Sequence, residues 1–208
     1  MARPKNSPEK IELMRNKMMD AVIELLDEVS PEKISIRMIA EKIGVSHMVF
    51  YTYFENREAI MNALIDRQQT RIDHHFEGLL EKARSEKVIE VLKMVLKDYS
   101  VTAHEHPKIY SLFWLTPKEE RKGKEKIHSF RHLEPSMRNI SQLIELGMKK
   151  NEFISRDPKL AAATVMAIMN APLILHLCGK KPAEFICEQM LRETTSAVFA
   201  YLTTDYVK

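Results

Sequence analysis

Between Ile34 and Glu58 the chain reads ISIRMIAEKIGVSHMVFYTYFENRE, and its polar groups are of the kinds that meet a nucleic acid. Ser35 and Arg37 offer a hydroxyl and a guanidinium able to grip a sugar–phosphate backbone or a base edge. Ser46 offers a hydroxyl at a helix start, where unsatisfied amides also favour phosphate. His47, Met48, Val49 and Thr52 fall on the exposed front of the same helix, and the apolar tips of Met48 and Val49 suit thymine methyl groups.

Other reactive side chains are present without a pattern that completes a site. His128 and His132 stand at the spacing that places two imidazoles on one helix face, but Ser129 occupies the place where the hydrolase pattern needs glutamate. His104-Glu105-His106 could assist a metal site but reads more readily as an exposed polar loop, and His74-His75 has no suitable partner spacing. The chain has no glycine-rich phosphate loop, no nucleophile elbow and no CxxC pair. These features argue against an enzyme, a metalloenzyme included, and give no reason to expect a cofactor, while a metal-sensing regulator stays open. Cys178 and Cys187 are the only cysteines, and they read as inert packing thiols more readily than as a redox switch.

The elements that must position the 34–58 segment are two short helices and a tight turn. Ala40 is small where a second helix approaches closely. Gly44 can take the left-handed conformation that ends a helix, Val45 can turn inward, and Ser46 can cap the next helix. Phe50 then falls where an apolar residue must meet Ile39 and Ile43. Small residue, glycine, capping serine and apolar lock at these offsets describe a helix-turn-helix, whose second helix enters the major groove.

The run Ala40, Gly44-Val45-Ser46, Phe50-Tyr51-Thr52-Tyr53-Phe54 and Asn56-Arg57-Glu58 resembles the DNA-binding signature of TetR-type (tetracycline-repressor-like) regulators. That signature runs A-x-x-x-G-V-S-x-x-x-aliphatic-Y-x-[YH]-F, followed by a [KR]-E pair opening the next helix. Asp157-Pro158-x-Leu160-Ala161 resembles the opening of the family's penultimate helix. The resemblance implies an all-α protein with a helix-turn-helix head over residues 1–57 and a larger effector-binding and dimerisation body over residues 58–208. It implies a homodimeric regulator, in the first instance a repressor, released from a palindromic operator on double-stranded DNA by a small, apolar effector. Tyr51 and Tyr53 match positions that face DNA phosphate or bases, and Arg57 matches a phosphate-contacting base. His47 and Met48 depart from the Lys or Arg, then Gly or Ala, common there. A neutral imidazole gives a weaker phosphate contact than Lys. Proteins resembling this family hold their effector inside the helical body, for which Met94, Tyr99, Tyr110, Phe113, Trp114, Met137, Met166, Met169 and His176 are candidates. A second reading is a helical ligand-carrier or metal-binding protein with a non-functional helix-turn-helix.

Composition fits helices throughout, with 5 Gly and 13 Met in 208 residues and no alternating β-branched run. A net charge of +3 does not announce DNA binding, and residues 1–57 hold nine basic and nine acidic side chains, so placement must carry that argument. The basic arm Arg3-Pro4-Lys5 is either a further DNA contact or a tail without a role. The polar start MARPKNSPEK lacks an apolar signal core, which predicts a cytoplasmic protein. Leu160 to Gly179 carries no Asp, Glu, Lys or Arg and approaches the length of a membrane span. Its Thr164, Asn170, Pro172 and His176 favour burial between subunits, so Leu160–Leu177 and Phe185–Leu202 are expected to form a four-helix dimer interface, with no membrane partner. Elsewhere the pattern predicts helices capped by Ser7, Asn56 and Asp157. A capping box at Thr116-Pro117-Lys118-Glu119 is expected to open another.

Overall fold

The computed structural model describes residues 7–116, 118–122, 125–129, 133–178 and 184–204. Helix α1 (Pro8–Glu28) begins where the Ser7 hydroxyl accepts the Lys10 N–H at 3.4 Å, with Pro8 in the first turn, where no N–H is needed. Its inner face is Met18, Met19, Ala21, Val22, Leu25 and Leu26. Nearer its start, Ile11 is 39% exposed and Leu13 72%.

A 3-10 turn (Pro31–Lys33) leads to α2 (Ile36–Lys42), α3 (His47–Phe50) and α4 (Arg57–Ser85). Asn56 caps α4 as expected, its Oδ1 accepting the Ala59 N–H at 2.8 Å. Helix α5 (Val88–Glu105) is followed by α6 (Pro107–Tyr110), which continues as a wider π-type turn over Ser111–Leu115. Then come strands β1 (Lys118–Lys122) and β2 (Glu125–Ser129), and helices α7 (Glu134–Lys149), α8 (Pro158–Cys178) and α9 (Glu184–Thr203). Asp157 caps α8 as expected, accepting the Leu160 N–H at 2.8 Å.

The all-α class therefore holds, with one local correction. The capping box at Thr116 does not open a helix: the following residues pair as an antiparallel hairpin, Lys118 opposite Ser129 and Lys122 opposite Glu125. The Thr116 hydroxyl instead donates back to the Ser111 carbonyl at 3.1 Å.

The chain divides into two compact units, residues 1–68 with 108–130, and residues 69–107 with 131–208. The division falls inside α4, whereas the sequence places the head–body boundary at residue 57. In the first unit α2 packs on both α1 and α3, around Met18, Val22, Leu26, Ile34, Ile39, Phe50, Ile60 and Leu64. Lys42 ties α2 to α1, its Nζ lying 2.9 Å from Glu28 and 3.3 Å from Glu24. Hydrogen bonds to Glu28 and then Glu24 push its pKa above the ordinary lysine value. The hairpin is fastened in the same unit by Lys118 Nζ, 2.6 Å from Asp66 on α4.

In the second unit α5 packs on α7, α8 and α9, α7 on α8, and α8 on α9. Leu92, Leu143, Ile144, Met169, Val198 and Leu202 are fully buried there. A polar chain joins α4 to α7: Ser136 Oγ donates to Gln69 Oε1 at 3.1 Å, and Gln69 and Asn139 both donate to Asp73 Oδ1, at 2.8 and 2.7 Å. No helix among the described residues is long and apolar enough to cross a membrane.

Candidate nucleic-acid interface

The turn between α2 and α3 is built by backbone bonds that only a left-handed residue permits. Gly44 has φ +73°, the Val45 N–H reaches the Ala40 carbonyl at 2.9 Å, and the Gly44 N–H reaches the Glu41 carbonyl at 3.1 Å. This is the paired-bond helix ending that satisfies the last carbonyls of α2. A side chain at Gly44 would meet no neighbour, so its requirement is the dihedral alone. Ile39, Ala40 and Phe50 are buried and lock α3 onto α2, as the spacing implied.

With Phe50 and Phe54 turned inward, the opposite face stays open. Met48 is 65% exposed and Tyr51 51%. Ser46, His47 and Thr52 are exposed and Val49 is half-buried. Tyr51 rests edge-on against Phe50, ring centres 5.7 Å apart. Ser35 caps α2, its hydroxyl accepting the Met38 N–H at 3.3 Å. Arg37 lies on the exposed side of α2, its Nε 2.7 Å from Glu41, and that hydrogen bond raises its pKa further. Arg37, Ser46, His47, Met48, Tyr51 and Thr52 are thus all exposed on one compact motif.

Residues 18–64 match the model of the bacterial regulatory proteins of the tetR family. The matched segment contains α2, the turn and α3, and is under a quarter of the chain. Over 62 residues it is 34% identical to the tetracycline repressor protein class C of Escherichia coli, a match that covers 30% of this chain and 28% of that relative. The chain thus spans under a third of the length of that relative. Among solved structures, the regulator FadR from Bacillus subtilis in complex with stearoyl-CoA superimposes with a TM-score of 0.69 at 16% identity, covering 90% of this chain and 98% of that one. The fatty acid degradation regulator FadR from Bacillus halodurans gives 0.68 at 16% identity, covering 94% and 96%. At these identities the likeness establishes the fold alone.

Three expectations for the helix-turn-helix head change in detail. First, α3 stops at Phe50, so Tyr51 and Tyr53 do not share a helix: the Thr52 N–H bonds the Val49 carbonyl at 3.1 Å and the Tyr53 N–H the Phe50 carbonyl at 2.9 Å, forming a turn. Tyr53 is half-buried rather than open. Second, the Ser46 side chain makes no capping bond to α3, which leaves its hydroxyl on the surface. Third, Arg57 is half-buried and turns inward in this structure. Its Nε donates to the Ile34 carbonyl at 2.7 Å and its NH2 to the Pro31 carbonyl, so the guanidinium braces the approach to α2. An arginine committed to two interior carbonyls has few donors left for an outside anion.

Sequence reasoning missed Arg15. From α1 its NH1 donates to the Tyr53 carbonyl at 2.5 Å, and its guanidinium lies 4.1 Å from the centre of the Phe54 ring. No local pattern links positions so far apart in the chain.

The expected effector residues divide between the two units. Tyr110, Phe113 and Trp114 belong to the first, with Phe113 and Trp114 in edge contact at 5.0 Å and Tyr110 and Trp114 at 6.3 Å. Phe113 lines a void of about 10 Å³ with Ile23, Leu64, Ile65, Gln68, Ile109 and Leu112, room for one water at most. Met94, Tyr99, Met137, Met166, Met169 and His176 belong to the second. Met166 and Met169 are buried, Met137 is half-buried and Met94 is 38% exposed. The Tyr99 hydroxyl donates to Asn170 Oδ1 at 2.6 Å, and Asn170 donates in turn to the Met166 carbonyl at 2.8 Å. The side chain of His176 lies outside the described residues, as do those of His128, His132, Cys178 and Cys187. An open groove of about 360 Å³ runs beside Gln189, Met190, Glu193 and Thr194, none of them expected from the sequence. Among the described residues no group of three His, Cys, Asp or Glu is placed to hold a metal.

Proposed function

We infer that this chain is a sequence-specific, DNA-binding transcriptional regulator of the cytoplasm, a repressor that leaves a palindromic operator when a small apolar effector binds. The observation that carries this reading is the open face of α2, α3 and the following turn: Met48 and Tyr51 stay exposed while Phe50 and Phe54 are buried beneath them. Such a face costs apolar exposure in the isolated protein and finds its use against a groove. Residues 1–57 act as the DNA-reading head, and residues 58–208 hold the effector and the dimer contact. The match of residues 18–64 to the tetR-family model supports the DNA half of the reading. A similarly folded regulator in complex with stearoyl-CoA supports the effector half.

The dimer is assigned to α8 and α9, through Leu160–Leu177 and Phe185–Leu202. Along α8, Leu160, Ala163, Ala167, Ala171 and Ile174 are exposed and uncharged at three- and four-residue steps, a strip on which a second helix can lie closely. Two heads related by a two-fold axis then read two half-sites. Selection of duplexes from a random pool by the purified protein tests the function. A palindromic consensus is the expected result, and a pool that stays random after salt-controlled washing overturns it.

A further inference from the structure

The turn that carries Tyr51 and Thr52 has little to hold it in place by itself. Helix α3 is four residues long, and beyond it the Phe50 carbonyl receives both the Tyr53 N–H at 2.9 Å and the Phe54 N–H at 3.1 Å. So short a helical piece is not self-supporting, and its pose must come from what it is tied to.

One tie comes from α1. Arg15 donates through NH1 to the Tyr53 carbonyl and stacks its guanidinium over Phe54, which is 3% exposed. Glu12, one turn earlier, approaches Arg15 Nε at 4.0 Å and holds the charge from the other side. The arrangement needs a planar cation with a fork of donors, since one group must lie flat on a ring while it reaches a carbonyl beyond it. Lysine keeps the charge and loses both the plane and the fork.

We propose that Arg15 is a positioning residue for DNA reading. It touches no nucleotide itself and fixes, through the Tyr53 carbonyl and the Phe54 ring, the angle at which Tyr51 and Thr52 meet DNA. The proposal rests on the DNA-binding reading above. Arg15 lies just outside the 18–64 segment that matches the family model, so the family pattern does not assign it.

The test uses the full-length protein and a duplex that the wild type has selected from a random pool, with a random-sequence duplex as control. Kd is measured over a range of salt, together with the melting temperature of each variant. Arg15→Leu is expected to weaken binding to the selected duplex about tenfold, the scale of one charge-assisted hydrogen bond. The random duplex should change far less. The slope of log Kd against log salt should stay that of the wild type, because no phosphate contact is lost. Arg15→Lys should not restore the affinity. A slope shallower by about one unit would mean that Arg15 itself neutralises a phosphate, and would overturn the proposal. So would unchanged affinity with a lowered melting temperature, the signature of a purely structural role, or full rescue by lysine. If Arg15→Leu does not fold, Arg15→Lys carries the same comparison, with a weakened selected-duplex affinity expected and wild-type affinity overturning the idea. A wild type that retains no duplex fails before any variant is made, and that outcome removes the DNA-binding reading and this proposal together.

Discussion

Lys150 and Glu152 hold the two sides of one chain reversal. Lys150 Nζ collects the carbonyls of Ala83, Arg84 and Glu86 at 2.8, 3.0 and 2.7 Å, where α4 ends. The Glu152 carboxylate accepts the Val88 and Ile89 N–H groups, each at 3.0 Å, where α5 begins. A cation thus meets the negative end of one helix and an anion the positive end of the next. Between them Asn151 takes φ +58° and closes α7 by the same paired-bond ending that Gly44 gives α2, with the Glu152 N–H on the Gly147 carbonyl at 2.9 Å and the Asn151 N–H on that of Met148 at 3.0 Å.

Removing either side chain should therefore loosen the α4–α5 connection. Glu152→Ala is expected to lower stability by about 1–2 kcal/mol, within the range of lost helix caps. Lys150→Ala should cost about 1 kcal/mol, and the double variant should cost less than the sum, because both act on one reversal. Urea denaturation of the four proteins measures the cycle. Additive losses would show that the two caps act independently.

Gly147 faces Phe153 across this turn. A Cβ at Gly147 would lie 2.2 Å from the Phe153 ring. Gly147→Ala should destabilise by about 1–3 kcal/mol through overpacking, and adding Phe153→Leu should recover part of the loss. A Gly147→Ala variant as stable as the wild type would show that the ring moves aside at no cost.

In the head, substitutions should separate by what their side chains touch. Tyr51→Ala should weaken binding to every duplex by about 1 kcal/mol and leave the melting temperature unchanged. Met48→Ala should alter which base pairs are preferred. Arg57→Ala should act first on stability, since its guanidinium supports the Pro31 and Ile34 carbonyls. Competition binding and thermal unfolding on the same preparations test all three. An Arg57→Ala protein with wild-type melting and lost affinity would return that residue to the DNA-contacting set.

At the proposed dimer contact, Ala167→Asp places a charge on the open strip of α8 and should give a folded monomer at micromolar concentration in sedimentation. Met166→Asp is a poor probe of the same contact. Met166 is 7% exposed, so a charge there enters the subunit's own core and should unfold it. A dimeric Ala167→Asp protein would move the contact elsewhere.

Features written in neighbouring residues were legible in the sequence. Ser7, Asn56 and Asp157 cap their helices through bonds spanning three residues, and Gly44 ends α2 within its own turn. Features made by distant residues were not. Arg15 reaches Tyr53, Arg57 reaches Pro31 and Glu152 reaches Val88, separations of 38, 26 and 64 residues that leave no periodic trace. The hairpin at Lys118–Ser129 also escaped notice, because its strands are mostly charged and lack the β-branched alternation that marks a strand. Tyr110 and Met166 looked like members of one cavity lining, since aromatic and methionine residues at helical spacing look the same in a core as around a ligand.

The brevity of α3 bears on how DNA preference could be moved between proteins. A long recognition helix can be transplanted as a segment, because its own hydrogen bonds carry its shape with it. Here the helix ends at Phe50 and the next exposed residues stand in a turn. Exchanging residues 46–54 into another head would transfer the side chains without their presentation. On the DNA-binding reading proposed above, operator choice would travel with the distant arginines and the carbonyls they brace rather than with residues 46–54 alone.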